Sequence, residues 1–550
     1  MSKIVFIDSE INHSGEICDL GAVKPGGSTL HTTSQNEFSA FTLGCRYVCG
    51  HNIIAHDLRY VGRLILGDYT PIDTLTVSPL MFPKNPYHHL IKDYKIQTDQ
   101  LNDPANDAAL CMELFFEEVE AFRQLDDNLK AIYFALLGLR REYIGFFNYV
   151  DYIRSDDAES LIRGYFSDRI CANADLPSLI SLYPAELAYC LALISSDDRY
   201  SLIPHWVHRS FPAVEYVMRA LRGTPCNRCT FCLREHDIHK KLKQYFGYDG
   251  FRTYDGEPLQ ERAAQAAVEN KSLIAVFPTG GGKSVTFQLP ALMSGDACRG
   301  LTVVISPLQS LMKDQVDNLA EKGISDAVTI NGILDPVERA SAIERVQSGQ
   351  ASLLYISPES LRSKTIENLM LNRHITRFVI DEAHCFSAWG QDFRVDYLYI
   401  GDFIRELQEK KNLSEPIPVS CFTATAKQKV ISDISDYFRN KLGIEMEIFA
   451  SGASRRNLRY EVLYKENDDE KYLALRNLLT TKNCPSIVYV SKVKRTFGIA
   501  KRLTADGIKA LPFNGKMDKS EKIANQEQFM SGEVNVIVAT SAFGMGVDKS

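Results

Sequence analysis

Residues 273–293 read LIAVFPTGGGKSVTFQLPALM, an apolar run, a glycine-rich turn and a second apolar run at helical spacing. Leu273-Ile-Ala-Val-Phe277 has no polar position, the pattern of a strand buried on both faces. VTFQLPALM reads as the helix that follows. A glycine-rich turn between a buried strand and a helix N-terminus is where backbone N–H groups wrap a phosphate. Gly280, Gly281 and Gly282 allow that close approach, Lys283 neutralises the phosphate, and Ser284, with Thr279 nearby, is placed to hold magnesium. Phe277 stands where the general pattern has its first glycine, and a chance glycine-rich turn is the competing interpretation of the motif alone.

The same rhythm continues outward through LTVVISPL, SLLYISP, RFVIDEAH, PVSCFTATA, SIVYVS and VNVIVATS. Continuous apolar runs separated by helical stretches imply parallel sheets covered on both faces, hence an α/β multidomain chain. SGASRRNLRYEV, near 451–462, is the expected hinge between two such sheets. Arg377-Phe-Val-Ile380 ends in Asp381-Glu382-Ala383-His384, placing Asp381 on a metal and Glu382 where it orients or deprotonates an attacking water. A lone Asp-Glu pair at a strand end is often only a turn. Following a phosphate loop, it points to a motor-type ATPase. Phe422-Thr423-Ala424-Thr425-Ala426 adds two hydroxyls suited to linking hydrolysis to movement.

The 550 residues have room for roughly three or four domains. With 62 basic and 69 acidic residues and a net charge of -7, a nucleic-acid partner must be held by local basic patches. The N-terminus places Asp8 and Glu10 inside its short apolar stretch, which is wrong for a secretory signal, and no window approaches the ~18 apolar residues of a membrane span. The 13 cysteines, mostly on apolar segments, suit reduced thiols. The expected location is the cytoplasm. The expected blocks are a compact α/β domain over 1–120, a helical linker over 121–222, a cysteine cluster over 223–240, and strand–loop–helix units over 241–447 and 448–550.

Ile4-Val-Phe-Ile-Asp8-Ser-Glu10 carries two carboxylates on one strand face. Asp57 and Asp107, the latter opening a helix, bring the set to four. Four converging carboxylates can hold two magnesium ions about 4 Å apart, an arrangement that cleaves phosphodiesters. Cys226-Asn-Arg-Cys229-Thr-Phe-Cys232 packs two C-x-x-C steps, suiting a tetrahedral zinc whose fourth ligand comes from a nearby histidine, His236 first among His205, His208 and His239. Reduced structural thiols and an iron–sulfur cluster are the alternatives. Nearby Arg222, Arg228, Lys240, Lys241 and Lys243 form either a phosphate-binding face or a solvated helix surface.

YFGYDGFR (245–252), FPTGGGKS, ISPLQSLMKDQV (305–316), LLYISPE (353–359), VIDEAHCFSAWGQDFRVDY (379–397), FTATA, IVYVSKVK (487–494) and IVATSAFGMGVDK (537–549) resemble, in order, the motifs of the RecQ family of DNA helicases. The resemblance implies two RecA-like lobes, the second incomplete, and 3'-to-5' movement on single-stranded DNA driven by ATP and magnesium. It assigns adenine reading to Gln260 with Arg252 beside it, lobe coupling to His384, and nucleotide contacts to Gly546 and Asp548. Trp389, Phe393 and Arg394 become an aromatic-rich loop that senses single-stranded DNA, as aromatic faces and a guanidinium plane bind unstacked bases. The family places its glutamine three residues after FR, whereas TYDGEPL separates Arg252 from Gln260 here. The family's arginine finger is expected beyond Ser550.

Residues 1–120 resemble the DEDD 3'-to-5' exonucleases, which have a DnaQ-like, RNase H-like fold. Where that family carries a basic histidine or a tyrosine, this chain has Asn102 and Asp103, and His56, His88 and His89 are the substitutes. The sequence thus predicts an ATP-dependent DNA helicase acting on single-stranded and duplex DNA, with a nuclease-like domain in front and no membrane partner. The alternatives are a DNA-binding protein with an inert nuclease fold and an ATPase that regulates grip, and an RNA-directed DEAH motor.

Overall fold

Successive residues of the first strand feed two different cores. In this computed structural model, which describes residues 3–84, 103–154, 156–278, 280–332, 334–386, 394–424, 427–451, 458–540 and 543, the N-terminal strands are β1 (Ile4–Ile11), β2 (Ile17–Lys24), β3 (Ser28–Thr32), β4 (Tyr47–Gly50) and β5 (Thr70–Asp73). Their order is β3-β2-β1-β4-β5, with β1–β2 and β2–β3 antiparallel and β1–β4 and β4–β5 parallel. Val5 and Ile7 pack with Leu20, Phe38 and Val48 on one face. Ile4 and Phe6 pack with Cys49 and Phe115 on the other, as the two-residue period of a strand requires. The arrangement is compatible with the expected RNase H-like fold.

The helix Pro104–Gln124 covers the second face. A Cβ on Gly21 of β2 would lie 2.0 Å from the carbonyl carbon of Pro104, so only glycine lets the helix come down on the sheet. The helices that follow, from Asp127–Leu137 to Val214–Met218, pack their buried residues into the same core as the N-terminal sheet. Phe6, Phe115, Phe146, Leu187, Cys232 and Cys298 belong to one continuous buried cluster, which joins the N-terminal sheet to the helices as far as the start of the next domain.

That next domain is built on β6 (Leu273–Val276), β7 (Leu301–Ile305), β8 (Ala327–Ile330), β9 (Leu353–Ile356), β10 (Ile375–Ile380), β11 (Val419–Thr423) and β12 (Glu447–Ala450). All are parallel, in the order β12-β6-β11-β10-β7-β9-β8. This parallel sheet stands where the first RecA-like lobe is expected. β12 pairs with β6, so the lobe runs past the expected boundary at 447. Charged pairs dock the helical segment on it: Lys411 to Glu215 at 2.6 Å, Arg219 to Glu415 at 2.8 Å and Arg199 to Asp326 at 2.5 Å.

The chain divides into two compact units, Met1–Pro307 with Val316–Gly452, and Leu308–Gln315 with Ala453–Ser550. The second holds β13 (Ser486–Tyr489), β14 (Ala510–Phe513) and β15 (Val536–Ala539), a parallel sheet in the order β13-β15-β14. Among the described residues no single helix is long and apolar enough to cross a membrane.

Candidate functional site

The glycine loop hangs between β6 and the helix Lys283–Cys298. Phe277 donates its N–H to the Thr423 carbonyl at 3.1 Å, which fixes the start of the loop beside the end of β11. Gly280 (φ 73°) and Gly282 (φ 83°) take left-handed conformations open to glycine at no steric cost. A Cβ on Gly282 would stand 2.7 Å from Gln260 Nε2, so the loop's last glycine is needed for close approach as well.

Gln260, on the helix Leu259–Val268, donates from Nε2 to the Gly282 carbonyl at 2.8 Å and accepts the Arg252 N–H at 2.6 Å. Arg252 in turn donates from Nη1 to the Gly280 carbonyl at 2.7 Å. The long spacing between Arg252 and Gln260 therefore does not separate them. The extra residues fold into a tight turn: Tyr254 and Glu257 exchange backbone hydrogen bonds at 2.9 Å, around Asp255 (φ 50°) and Gly256 (φ 87°). This carries the Tyr254 hydroxyl to the Gly281 carbonyl. The ring stacks on Phe277, 4.7 Å between centroids and 18° between planes. Phe277, the departure from the general loop pattern, is the platform for this tyrosine, a partnership the sequence signalled only as an aromatic out of place.

Opposite the loop, β10 ends where the Asp381 N–H donates to the Ile305 carbonyl at 2.9 Å. Glu382 takes φ 48°, a conformation few non-glycine residues adopt. Its carboxylate stands 3.9 Å from Lys283 Nζ and 3.2 Å from His384 Nδ1. His384 Nδ1 is 3.4 Å from Thr423 Oγ1. Burial, reinforced by the adjacent Glu382 charge, pushes the Asp381 carboxyl up to about 6. Burial also works to raise Glu382, but the His384 hydrogen bond and the Lys283 charge outweigh it and hold this carboxyl below its ordinary value. Lys283, Asp381, Glu382, His384 and Thr423 thus form one connected constellation. Ser284 begins the helix beside Lys283. Thr279, Thr425, Trp389, Phe393, the Arg394 side chain, Gly546 and Asp548 lie outside the described residues.

In the N-terminal domain, carboxylate oxygens of Asp8, Glu10 and Asp107 lie within 4.8 Å of one another. β1 supplies the first two and the first turn of the helix Pro104–Gln124 the third. Oxygen donors at this spacing fit a hard cation such as magnesium. Asp57, expected as the fourth, does not join the group. It is buried and accepts from the Ser9 N–H at 3.0 Å and the Ser9 hydroxyl at 2.6 Å. It is a strut on the strand that carries the other carboxylates. Asp103 caps the helix by accepting from the N–H groups of Ala105 and Asn106 at 3.0 and 3.3 Å. His56 is 3.7 Å from Asp57, while Asn102, His88 and His89 lie outside the described residues.

The cysteine cluster also differs from expectation. Cys226, Cys229 and Cys232 gather with Cys171 rather than with a histidine, and His236 stands outside that group. Burial works to raise the Cys226 thiol, but the N–H groups of Cys229 and Arg228 and the side chain of Asn173 hold it down to about 6.

Two families match the chain: DEAD/DEAH box helicase over residues 257–434 and Helicase conserved C-terminal domain over 470–550. The helicase RecQ of Bacillus subtilis (strain 168) is 38% identical over 319 residues, covering 57% of this chain and 50% of that protein. The helicase portion of this chain is therefore similar to RecQ helicases. The probable helicase RecS of the same organism is 33% identical, over 57% of this chain and 59% of the relative. SGS1 of Saccharomyces cerevisiae is 34% identical, over 57% of this chain and 21% of the relative. The chain thus spans about half the length of the bacterial RecQ relative. Among solved structures, the DUF1998 helicase MrfA bound to DNA and AMPPNP aligns at 20% identity over 57% of this chain and 44% of that chain, with a TM-score of 0.45. The RecQ-like portion lies behind the acidic centre and the cysteine cluster.

Proposed function

We propose that the chain is an ATP-dependent DNA helicase that moves 3' to 5' on single-stranded DNA and separates duplexes in repair and recombination. The observation that carries this is the line from Lys283 through Glu382 and His384 to Thr423, set against the Gly280–Gly282 turn in a RecQ-family motor. Lys283 and the loop N–H groups hold the phosphates, Asp381 and Ser284 hold magnesium, and Glu382 orients the attacking water. Magnesium, when bound, neutralises the charge that develops on the transferred phosphoryl group. Gln260 and Arg252 seat the base. As a DNA motor it works in a bacterial cytosol or nucleoid, or in the nucleus of a eukaryote.

ATP hydrolysis with and without single-stranded DNA, with Lys283→Ala as the blank, tests this proposal. DNA should stimulate turnover, and the variant should lose at least about a hundredfold, the scale of removing one preorganised charge from a reacting phosphate. Stronger stimulation by RNA than by DNA would favour an RNA-directed motor instead.

The Asp8–Glu10–Asp107 group favours a second activity, 3'-to-5' removal of nucleotides by two-metal chemistry. Labelled 3' ends should shorten in magnesium or manganese and survive with Asp8→Asn. Survival with the wild-type chain while DNA is bound would leave an inert nuclease fold that grips DNA.

A further inference from the structure

Away from both centres, one group of side chains has the composition of a metal site. The Sγ atoms of Cys171, Cys226, Cys229 and Cys232 all lie within 4.8 Å of one another. Cys226 and Cys229 sit in the turn before the helix Thr230–Glu235 and Cys232 in its first turn, whereas Cys171 comes from far upstream. The Cys229 N–H points at Cys226 Sγ and the Cys232 N–H at Cys229 Sγ, both at 3.4 Å. Backbone donors aimed at sulfur favour thiolate over thiol. The upstream loop is tied in place independently: the Cys171 N–H donates to the Leu221 carbonyl at 2.8 Å, and Arg234 Nη2 donates to the Asp168 carbonyl at 2.8 Å. Cys171 and Cys232 are buried, and Cys226 and Cys229 are half-buried.

We propose that Cys171, Cys226, Cys229 and Cys232 bind a single structural zinc ion in a tetrahedral, all-thiolate site. Zinc–sulfur bonds of about 2.3 Å put tetrahedral sulfurs about 3.8 Å apart, within the observed spread. A four-iron cluster holds its thiolates on the corners of a cube, wider apart than one ion does. On binding, the thiols that still carry a proton release it to solvent and four Zn–S bonds form, with no transfer of electrons. Part of the resulting negative charge is offset by the two N–H donors. The helix Ile238–Phe246 and then Arg252 follow directly in the chain. The ion would therefore clip the helical segment to the strand of chain that enters the nucleotide site.

The test is elemental analysis of the full chain purified under reducing conditions, beside Cys171→Ser and His236→Ala. The wild type and His236→Ala should carry one zinc per chain, and Cys171→Ser should carry almost none. In case Cys171→Ser fails to fold, two further measurements decide. Cys171→His, which keeps a ligand, should retain the ion. Cobalt replacing zinc in the wild type should give the visible d–d and sulfur-to-metal bands of a tetrahedral four-thiolate site. Metal-free wild type, zinc retained in folded Cys171→Ser, or iron with the absorbance of an iron–sulfur cluster would each overturn the assignment.

Discussion

His384 Nδ1 lies 3.2 Å from Glu382 Oε2 and 3.4 Å from Thr423 Oγ1, so one nitrogen serves two partners at the ends of neighbouring strands. It can give its full hydrogen bond to only one of them at a time. Protonated, or as the Nδ1–H tautomer, it donates to Glu382; as the other tautomer it accepts from the Thr423 hydroxyl. A group that reports the state of the hydrolytic carboxylate to the end of β11 is suited to couple turnover to movement. Thr423→Ala removes one arm of this choice and leaves Lys283 and the glycine loop alone. We expect unchanged nucleotide affinity and about a tenfold loss of DNA-stimulated kcat, the rate equivalent of one hydrogen bond of about 1.4 kcal/mol. Steady-state ATPase assays that returned a raised KM with normal kcat would refute the coupling role.

Gln260 joins two segments that the sequence holds apart, through its bonds to the Arg252 N–H at 2.6 Å and the Gly282 carbonyl at 2.8 Å. Gln260→Ala leaves both groups without this partner and loosens the glycine loop. The expected cost is about 1–2 kcal/mol, a roughly five- to thirtyfold rise in the Kd for ATP. Titration with a fluorescent ATP analogue measures it, and an unchanged Kd would mean that Gln260 serves the loop alone and not the bound nucleotide.

The parallel lobe was legible because strands buried on both faces are apolar along nearly their whole length, as in Leu273–Val276 and Leu353–Ile356. The connected residues Lys283, Asp381, Glu382 and His384 were legible for a related reason: each sits at the end of such a strand or on the loop it feeds. Three features were not. The partnership of Arg252 with Gln260 depends on a tight turn at Asp255-Gly256, which folds the extra residues out of the way. Cys171 stands alone in the sequence, and only the packing of the helical segment brings it to the other three cysteines. Asp57 matches the nuclease pattern by position, but the direction of its side chain, toward Ser9, is set by tertiary packing.

His374 supplies a pH dependence of known sign. Burial lowers it from 6.5 to about 4, with Glu215 opposing and Arg219, His208 and Lys411 facing it. The folded chain therefore keeps His374 neutral where the unfolded chain binds a proton. The stability it contributes is fully present above pH 6.5 and is lost as pH falls from there toward 4. The loss amounts to about 3 kcal/mol for a shift of this size. Urea unfolding across that window should steepen in the wild type and flatten in His374→Gln. Parallel profiles for the two proteins would contradict the assignment.

Phe115 tests whether the N-terminal sheet and the helical segment are one folding unit. It is fully buried on the helix Pro104–Gln124, with its ring 5.5 Å from Phe6 on β1, 6.3 Å from Phe146 and 4.8 Å from Tyr149 in the helical segment. Truncation to alanine removes the contacts on both sides and leaves a cavity that neither side can easily fill, at a cost of about 3–5 kcal/mol. If the core is continuous, hydrogen exchange should accelerate together in β1, β4 and the helix Asp127–Leu137, while β6 and β11 of the motor lobe keep their protection. Faster exchange confined to one side of Phe115 would mean that the segment is a linker after all.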